Sequence, residues 1–228
     1  MRPATTLLRP CAVAGCGTAA ASFNLMPVSA GYSGSWLQQK GNSGFTVTAS
    51  RNIPAGGGST ADLAQARFAA QADYSLYRLS AHVARVLPRD WQARARFDAQ
   101  YTDHELVAPE QFGIGGASSV RGFLERERAD DRGYSGSLEL YTPEIASQLG
   151  WSQWTGRLLA FYDFGRTQRV RPLPGELAYN GISSAGVGLR LSWQKSFGLR
   201  LDLAQILNTG GTRESGSTRV IFSTVWSF

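Results

Sequence analysis

The stretch that decides the fold is Ser183-Ser184-Ala185-Gly186-Val187-Gly188-Leu189-Arg190-Leu191-Ser192-Trp193, in which apolar and polar residues alternate. Its apolar side chains all fall on odd numbers, whereas Arg190 shares the even positions with serines and glycines. Successive side chains of a β-strand point to opposite faces of its sheet. The pattern therefore predicts a strand with one apolar face and one polar face.

The same alternation recurs along most of the chain. It is clearest in residues 91–101, 197–204 and 219–228, and weaker near 25–37, 44–51, 72–87, 133–142 and 155–164. Repeated segments of this kind, separated by turn residues, are typical of all-β proteins with antiparallel sheets. The sequence thus predicts about nine strands, which could form part of a membrane β-barrel or a soluble β-sandwich, because both alternate. A helical turn is predicted in residues 59–72, with Thr60 as its cap.

Three features favour a transmembrane barrel. The strands run to about 8–12 residues, longer than the ~5–6 usual in soluble sheets. Short turns alternate with longer loops, as in outer-membrane barrels. Charged side chains fall on the polar faces, where they would line water: Arg94, Arg96, Asp98, Arg190, Arg200 and Asp202. Aromatic side chains end the apolar faces as interfacial girdles do: Trp36, Trp91, Trp193, Trp226 and Phe228.

Composition excludes several other classes. The chain has 228 residues with 23 basic and 17 acidic side chains, and a net charge of +6. The basic residues are spread singly, so the sequence predicts no nucleic-acid partner. No apolar run approaches the ~18 residues that a membrane helix needs. The two cysteines, Cys11 and Cys16, lie in an atypical segment, residues 1–22, which is predicted to be disordered or a misassigned start.

Two motifs stand apart from the alternation. The first is Gly113-Ile114-Gly115-Gly116-Ala117-Ser118-Ser119-Val120-Arg121-Gly122-Phe123, too rich in glycine and small polar residues for a regular element. The second is the strand-like Phe161-Tyr162-Asp163-Phe164-Gly165. One arginine in a long loop and one acid on a strand suggest a loop folded into the interior and held by a charge pair. From the residues alone, a solvated Arg121 and an Asp163 that caps a strand end explain the pattern equally well.

These motifs resemble those of the two-partner secretion transporters (TpsB type), also called haemolysin secretion/activation proteins. The resemblance rests on the order and spacing of several stretches: 110–116, 120–123, 131–134, 138–140, 142–143, 161–165 and the closing Phe228. It implies a sixteen-stranded barrel in the bacterial outer membrane, preceded by POTRA domains. Residues 23–228 would then be the C-terminal barrel portion, about nine strands of the sixteen, with the POTRA domains absent and the chain truncated.

The resemblance also implies function and site residues. Such a protein secretes, and can activate, a large haemolysin- or adhesin-type exoprotein, and its partners are this cargo, outer-membrane lipid and the barrel-assembly machinery. Arg121 and Asp163 would lock an internal loop to the barrel wall. The remaining implied residues are the loop motif Gly115, Gly116, Val120, Gly122 and Phe123, the strand motif Phe161 and Gly165, and the C-terminal assembly signal Trp226 and Phe228. The alternative within the same superfamily is an assembly factor for membrane proteins.

The sequence predicts no enzyme, cofactor or metal site. Neither of the two histidines, His82 and His104, has a cluster of Cys, Asp or Glu at metal-ligand spacing. The glycine run before Ser59 and Thr60 lacks the lysine of a phosphate-binding loop. Paired acids in 125–131 alternate with arginines, which is typical of a hydrated loop.

Overall fold

A computed structural model describes residues 23–54, 58–194, 196–210 and 214–227. Nine strands form one antiparallel sheet, and two short strands form a separate hairpin. The large sheet comprises β1 (Pro27–Gln38), β2 (Gly41–Asn52), β3 (Ser75–Val86), β4 (Gln92–Tyr101), β7 (Arg132–Tyr141), β8 (Trp154–Gln168), β9 (Tyr179–Trp193), β10 (Phe197–Asn208) and β11 (Thr218–Trp226). The hairpin comprises β5 (Phe112–Ile114) and β6 (Arg128–Asp130). One helix, α1 (Thr60–Ala66), and three single 3-10 turns (Pro88–Asp90, Ala108–Glu110 and Ser147–Leu149) complete the elements.

The large sheet is a meander interrupted once. Its order is β1-β2-β3-β4-β7-β8-β9-β10-β11, so the β5–β6 hairpin is inserted between two neighbouring strands. Four strands precede the hairpin and five follow it, and each of the nine segments predicted from alternation is a strand. In the part of the chain that the structure describes, β1 and β11 each pair on one side only, so the sheet is not closed.

The two faces of the sheet differ in chemistry. We call the face that carries Asp163 the inner face and the opposite one the outer face. Along β8, the inner residues Leu159, Phe161 and Asp163 are buried, whereas Leu158 and Tyr162 on the outer face are exposed. Other exposed apolar residues of the outer face are Leu138, Leu140, Val187, Leu201, Leu203, Val220 and Phe222. A continuous apolar surface of this kind marks a site of contact with lipid or another apolar partner.

The register places the predicted polar face on the inner side. Asp163 lies opposite Ser137 of β7 and Ser184 of β9, and Ser137 in turn lies opposite Arg96 of β4. Glu139, one pleat along β7, lies opposite Phe161 and Arg94. In the described residues no second large sheet packs on the nine-stranded one, so the alternative of a β-sandwich is wrong.

The connections alternate in length as predicted, with one exception. Between Gln38 and Gly41, Val86 and Gln92, and Trp193 and Phe197 the chain turns within a few residues, whereas the 142–153 link on this same side is longer. On the opposite side lie the connections 53–74, 102–131, 169–178 and 209–217. We call these two ends of the sheet the short-turn end and the long-loop end.

At the long-loop end, apolar side chains from several loops form a small core of their own. It consists of Phe23, Leu63, Ala70, Ala72, Tyr74, Leu76, Leu106 and Val107. Helix α1 supplies Leu63, but its N-cap is Ser59, so the assignment of Thr60 as cap is wrong. The Ser59 hydroxyl accepts from the Asp62 amide (3.2 Å) and the Asp62 carboxylate accepts from the Ser59 amide (3.1 Å), which makes a capping box. Thr60 instead accepts a hydrogen bond from the Ala72 amide (3.1 Å).

One buried carboxylate joins the loops around this core. Asp131, which is fully buried, accepts from the Leu106 amide (2.8 Å), the Val170 amide (2.7 Å) and Arg67 Nη2 (2.7 Å). These three donors belong to three different long connections. Because the Asp131 side chain has no exposed surface, its charge depends on these donors for compensation.

No helix in the described part of the chain is long and apolar enough to cross a membrane. Trp226 lies near the short-turn end with its ring 5.7 Å from that of Phe197. The predictions for residues 1–22 and for Phe228 fall outside the described residues.

Candidate functional site

The β5–β6 hairpin carries a tip, residues 115–127, that is folded against the inner face. Val120, Arg121 and Phe123 of this tip are buried. Val120 and Phe123 pack with Ile114 of β5, Ile182 of β9 and Ile206 of β10. The tip is therefore held by an apolar contact with the sheet wall, and its arginine is carried inward by the neighbouring apolar residues.

Arg121 and Asp163 form a bidentate ion pair. Arg121 Nε lies 2.7 Å from Asp163 Oδ2, and Arg121 Nη2 lies 2.8 Å from Oδ1. The Arg121 backbone amide also donates to Oδ2 at 3.1 Å. Arg121 is 5% exposed and Asp163 is 0% exposed, so both charges are removed from water. Paired, parallel N–H···O bonds fix direction as well as distance.

Additional polar groups surround the guanidinium. Ser137 donates to Asp163 Oδ1 (2.6 Å) and accepts from Arg121 Nη2 (3.2 Å). Arg121 Nη1 lies 2.9 Å from Glu139 Oε1 and 3.7 Å from Asp202 Oδ1. One arginine of the loop thus meets three carboxylates, contributed by β7, β8 and β10. Asp202 is shared with Arg190 of β9, whose Nη1 lies 2.8 Å from Oδ1.

Phe161 contributes the face of its aromatic ring to the site. The Arg121 guanidinium carbon lies 3.6 Å from the centre of the Phe161 ring, and that ring is buried. A cation over the face of a desolvated aromatic ring is attracted by about 2 kcal/mol. The strand motif therefore supplies two contacts to the same arginine, an ion pair from Asp163 and a ring face from Phe161.

Two glycines give the loop its close approach to the sheet. Gly122 has a φ of +95°, and a Cβ there would lie 3.3 Å from Ile206 Cγ1 and 3.4 Å from Ala204 Cβ. Gly165, the last residue of the strand motif, leaves the space into which Ile114 packs, since a Cβ at this position would lie 3.1 Å from Ile114 Cδ1. Gly115 and Gly116 also have positive φ, at the start of the tip.

The structure thus brings together most of the residues that the two motifs suggested. Arg121, Val120, Gly122 and Phe123 from the loop meet Phe161, Asp163 and Gly165 from β8. No pattern in the sequence singled out Ser137 and Glu139, or Asp202 as a partner of the loop. The signal for these three was their inward parity, on β7 beside β8 and on β10 two strands from β8, and parity alone does not reveal which inner residues lie at the same height.

The arrangement holds the tip against the inner face. Among the residues that the structure describes, no group of three or more His, Cys, Asp or Glu side chains could hold a metal ion. Removal of one partner from a buried ion pair leaves an uncompensated charge, which costs about 3–5 kcal/mol. The loop therefore has a well-defined seated position, and its release requires that Arg121 find another anion or water.

Comparison with known proteins places this geometry in context. Residues 19–191 match the model of a family described as haemolysin secretion/activation protein ShlB/FhaC/HecB. A search of curated proteins gave no significant match.

Two similar solved structures are those of CdiB from Escherichia coli and CdiB from Acinetobacter baumannii. The first is 19% identical with a TM-score of 0.72, and covers 90% of this chain and 37% of its own. The second is 17% identical with a TM-score of 0.65, and covers 90% of this chain and 34% of its own. The chain therefore spans about a third of the length of the solved structures it matches, and the likeness confirms an antiparallel barrel architecture for the nine-stranded sheet.

Proposed function

The chain belongs to the haemolysin secretion/activation protein family ShlB/FhaC/HecB, and from that premise we propose that it serves two-partner secretion in the bacterial outer membrane. Its cargo is a large exoprotein of haemolysin or adhesin type, which passes along the inner face while the outer face contacts lipid. Insertion by the barrel-assembly machinery belongs to the same proposal.

The distribution of polarity supports the membrane location. The outer face exposes leucine, valine and aromatic side chains over many neighbouring strands, which in water would be a large apolar patch. The inner face carries arginines, carboxylates and serines, which suit a hydrated passage. Rings at the short-turn end form a connected set, Trp151, Trp154, Phe197 and Trp226, of the kind found at membrane interfaces.

The observation that carries the proposal is the seated loop. A tip bound to the inner wall by the Arg121–Asp163 pair obstructs the path that a cargo would follow. Transport then requires the tip to move, and the ion pair sets the energy of that movement. The loop acts as an internal plug, and the Arg121–Asp163 ion pair holds it in place.

The experiment expresses the transporter together with its exoprotein and measures exoprotein in the medium. We expect Arg121→Ala and Asp163→Ala to reduce secretion sharply while the barrel still inserts, as judged by heat-modifiable gel migration. Arg121→Lys keeps the charge but cannot make the bidentate contact, so an intermediate loss is expected. Asp103→Ala removes an exposed pair with Arg132 and is the matched control. Secretion at the wild-type level by both alanine variants would overturn the assigned role.

An assembly factor of the same superfamily is the second candidate from the sequence. The family match favours the secretion transporter, because the matched model describes haemolysin secretion and activation. Transport by a moving loop, without catalysis, is the function proposed.

A further inference from the structure

A row of three arginines crosses the inner face near the short-turn end. Arg157 of β8 lies directly opposite Arg190 of β9, which lies directly opposite Arg200 of β10. All three have the inward parity of their strands: Arg157 shares it with Asp163, Arg190 with Ser184, and Arg200 with Asp202. Like charges on directly opposed residues of neighbouring strands destabilise a sheet. Folding alone therefore gives no reason for this row.

The three arginines differ in how far they are neutralised. The charge of Arg157 is compensated by a carboxylate and two carbonyls. Its Nη2 lies 2.6 Å from Asp90 Oδ2, and its Nη1 donates to the carbonyls of Asp90 (2.8 Å) and Thr142 (2.7 Å). Arg190 contacts Asp202 at two points, Nη1 to Oδ1 (2.8 Å) and Nη2 to Oδ2 (3.0 Å), and Asp202 Oδ1 also lies 3.7 Å from Arg121 Nη1. Asp202 is thus divided between two cations.

Arg200 is the exception. Its side chain is exposed, and within the described ranges of the chain that side chain makes no hydrogen bond, ion pair or ring contact. Arg200 is therefore the arginine of this row without a carboxylate among the described residues, whereas Arg157 pairs with Asp90 and Arg190 with Asp202. An open guanidinium beside a partly compensated one is suited to binding carboxylates.

We propose that Arg190 and Arg200 form a binding surface for an acidic segment of extended polypeptide. This rests on the proposed function, in which a polypeptide passes along the inner face. Residues of an extended chain that point the same way recur every second position. Flexible Glu or Asp side chains at such positions can reach arginines on neighbouring strands, so the surface selects acidic stretches by charge. The row lies on the short-turn side of the plug, where a passing chain would meet it apart from the Arg121 lock.

Peptide binding to the full chain, purified in detergent micelles, tests the proposal without any secretion assay. The probes are a fluorescent peptide of alternating Glu and Ser and its analogue with Gln in place of Glu, followed by anisotropy. We expect the Glu peptide to bind and the Gln analogue to bind at least about fivefold more weakly, with the difference shrinking at high salt. Equal binding of the two peptides would overturn the proposal.

Variants locate the surface. Arg200→Gln orphans no partner, so it should fold normally and weaken the Glu peptide about threefold, and the double variant with Arg190→Gln should weaken it about tenfold. Arg85→Gln is the matched control: it removes one arginine at the same end of the sheet, but from the outer face, since Arg85 lies opposite Ala93 and Ala93 opposite Leu140. Glu-peptide affinity unchanged in the double variant, or lowered equally by Arg85→Gln, would contradict the assignment.

A second measurement is independent of the ligand. Because Arg200 opposes a like charge, Arg200→Glu should raise the midpoint of thermal unfolding by placing a carboxylate beside Arg190, while it abolishes Glu-peptide binding. A lowered midpoint would show that the row is a stabilising element and would overturn the inference. Wild-type secretion by both Arg121→Ala and Asp163→Ala would overturn the proposed plug and leave these binding results unaffected, so the two proposals can fail separately.

Discussion

Arg121 contacts Asp163 through both its side chain and its backbone. The guanidinium makes the 2.7 Å and 2.8 Å contacts, and the amide of the same residue donates at 3.1 Å. The carboxylate therefore fixes the path of the loop backbone as well as the end of a long side chain. A substitution that preserves the shape of Asp163 but removes its charge should loosen both.

The first prediction concerns Asp163→Asn. Loss of the negative charge leaves Arg121 buried without its closest partner, which should cost the seated loop about 3–5 kcal/mol. We expect faster amide hydrogen exchange throughout residues 115–127 with little change in the strands. Asp103→Asn, which alters an exposed pair, serves as control. If exchange in the tip is unchanged, Glu139 and Asp202 hold Arg121 without Asp163.

The second prediction concerns the close approach of Gly122. Alanine at this position combines the strain of a φ of +95° with contacts of 3.3 Å to Ile206 and 3.4 Å to Ala204. We expect the backbone strain to destabilise the seated position of the tip by about 1–2 kcal/mol. The destabilisation is larger if Ile206 and Ala204 cannot shift to make room for the added methyl group. Gly175→Ala is a matched control, since its φ is +88° and a Cβ there would meet nothing within 4 Å.

Hydrogen exchange in the tip again provides the measurement. Equal effects of Gly122→Ala and Gly175→Ala on exchange in 115–127 would show that contact with the wall is irrelevant. A larger effect at Gly122 is the expected result.

The third prediction concerns the long-loop end. Asp131→Ala removes the acceptor of two backbone amides and leaves Arg67 without its carboxylate, so the three connections it joins should separate. The expected cost is about 3–5 kcal/mol, visible as rapid proteolysis within 58–74 and 102–111 while the strands stay protected. Asp73→Ala also removes a carboxylate, one bound to Arg51 at 2.7 Å, but that pair is exposed. Cleavage at the same rate in both variants would contradict a special role for Asp131.

The fourth prediction concerns pH and the 142–153 link. The Glu144 carboxylate accepts from the amides of Ala146 (2.7 Å), Ser147 (3.0 Å) and Gly156 (2.9 Å) and from the Ser147 hydroxyl. The hydrogen bond from the Ser147 hydroxyl, together with those from the amides, lowers the pKa of Glu144 to about 2. Since the folded pKa is depressed, the stabilisation is present above the ordinary pKa of about 4.5 and is lost as pH falls through about 2.

Tryptophan fluorescence provides the readout, because Trp151 and Trp154 lie in and beside this link. We expect Glu144→Gln to remove the part of the acid transition that falls between pH values of about 4.5 and 2. An acid transition identical in the wild type and the variant would show that another group governs it.

Much of the fold follows from the local alternation of apolar and polar residues. Alternation depends on residues two apart, so it marked all nine strands of the large sheet. The prediction that the glycine-rich 113–123 stretch holds no regular element is correct for residues 115–123 but wrong for Gly113 and Ile114, which belong to β5. The inner position of Asp163 agrees with the same parity, because the charged Arg157 shares its side of β8. Helix α1 shows the limit of local reasoning: Ser59 and Thr60 are both suitable caps, and only the backbone geometry distinguishes them.

Local sequence pattern accounts for the strands, their two faces and the presence of one arginine and one acid able to pair. Which inner residues lie at the same height follows from the folded structure alone. That property depends on register across strands distant in sequence, and no pattern within a single strand encodes it. Register is what joins Ser137, Glu139 and Asp202 to Arg121, places Ile114 over Gly165, and aligns Arg157, Arg190 and Arg200 in one row.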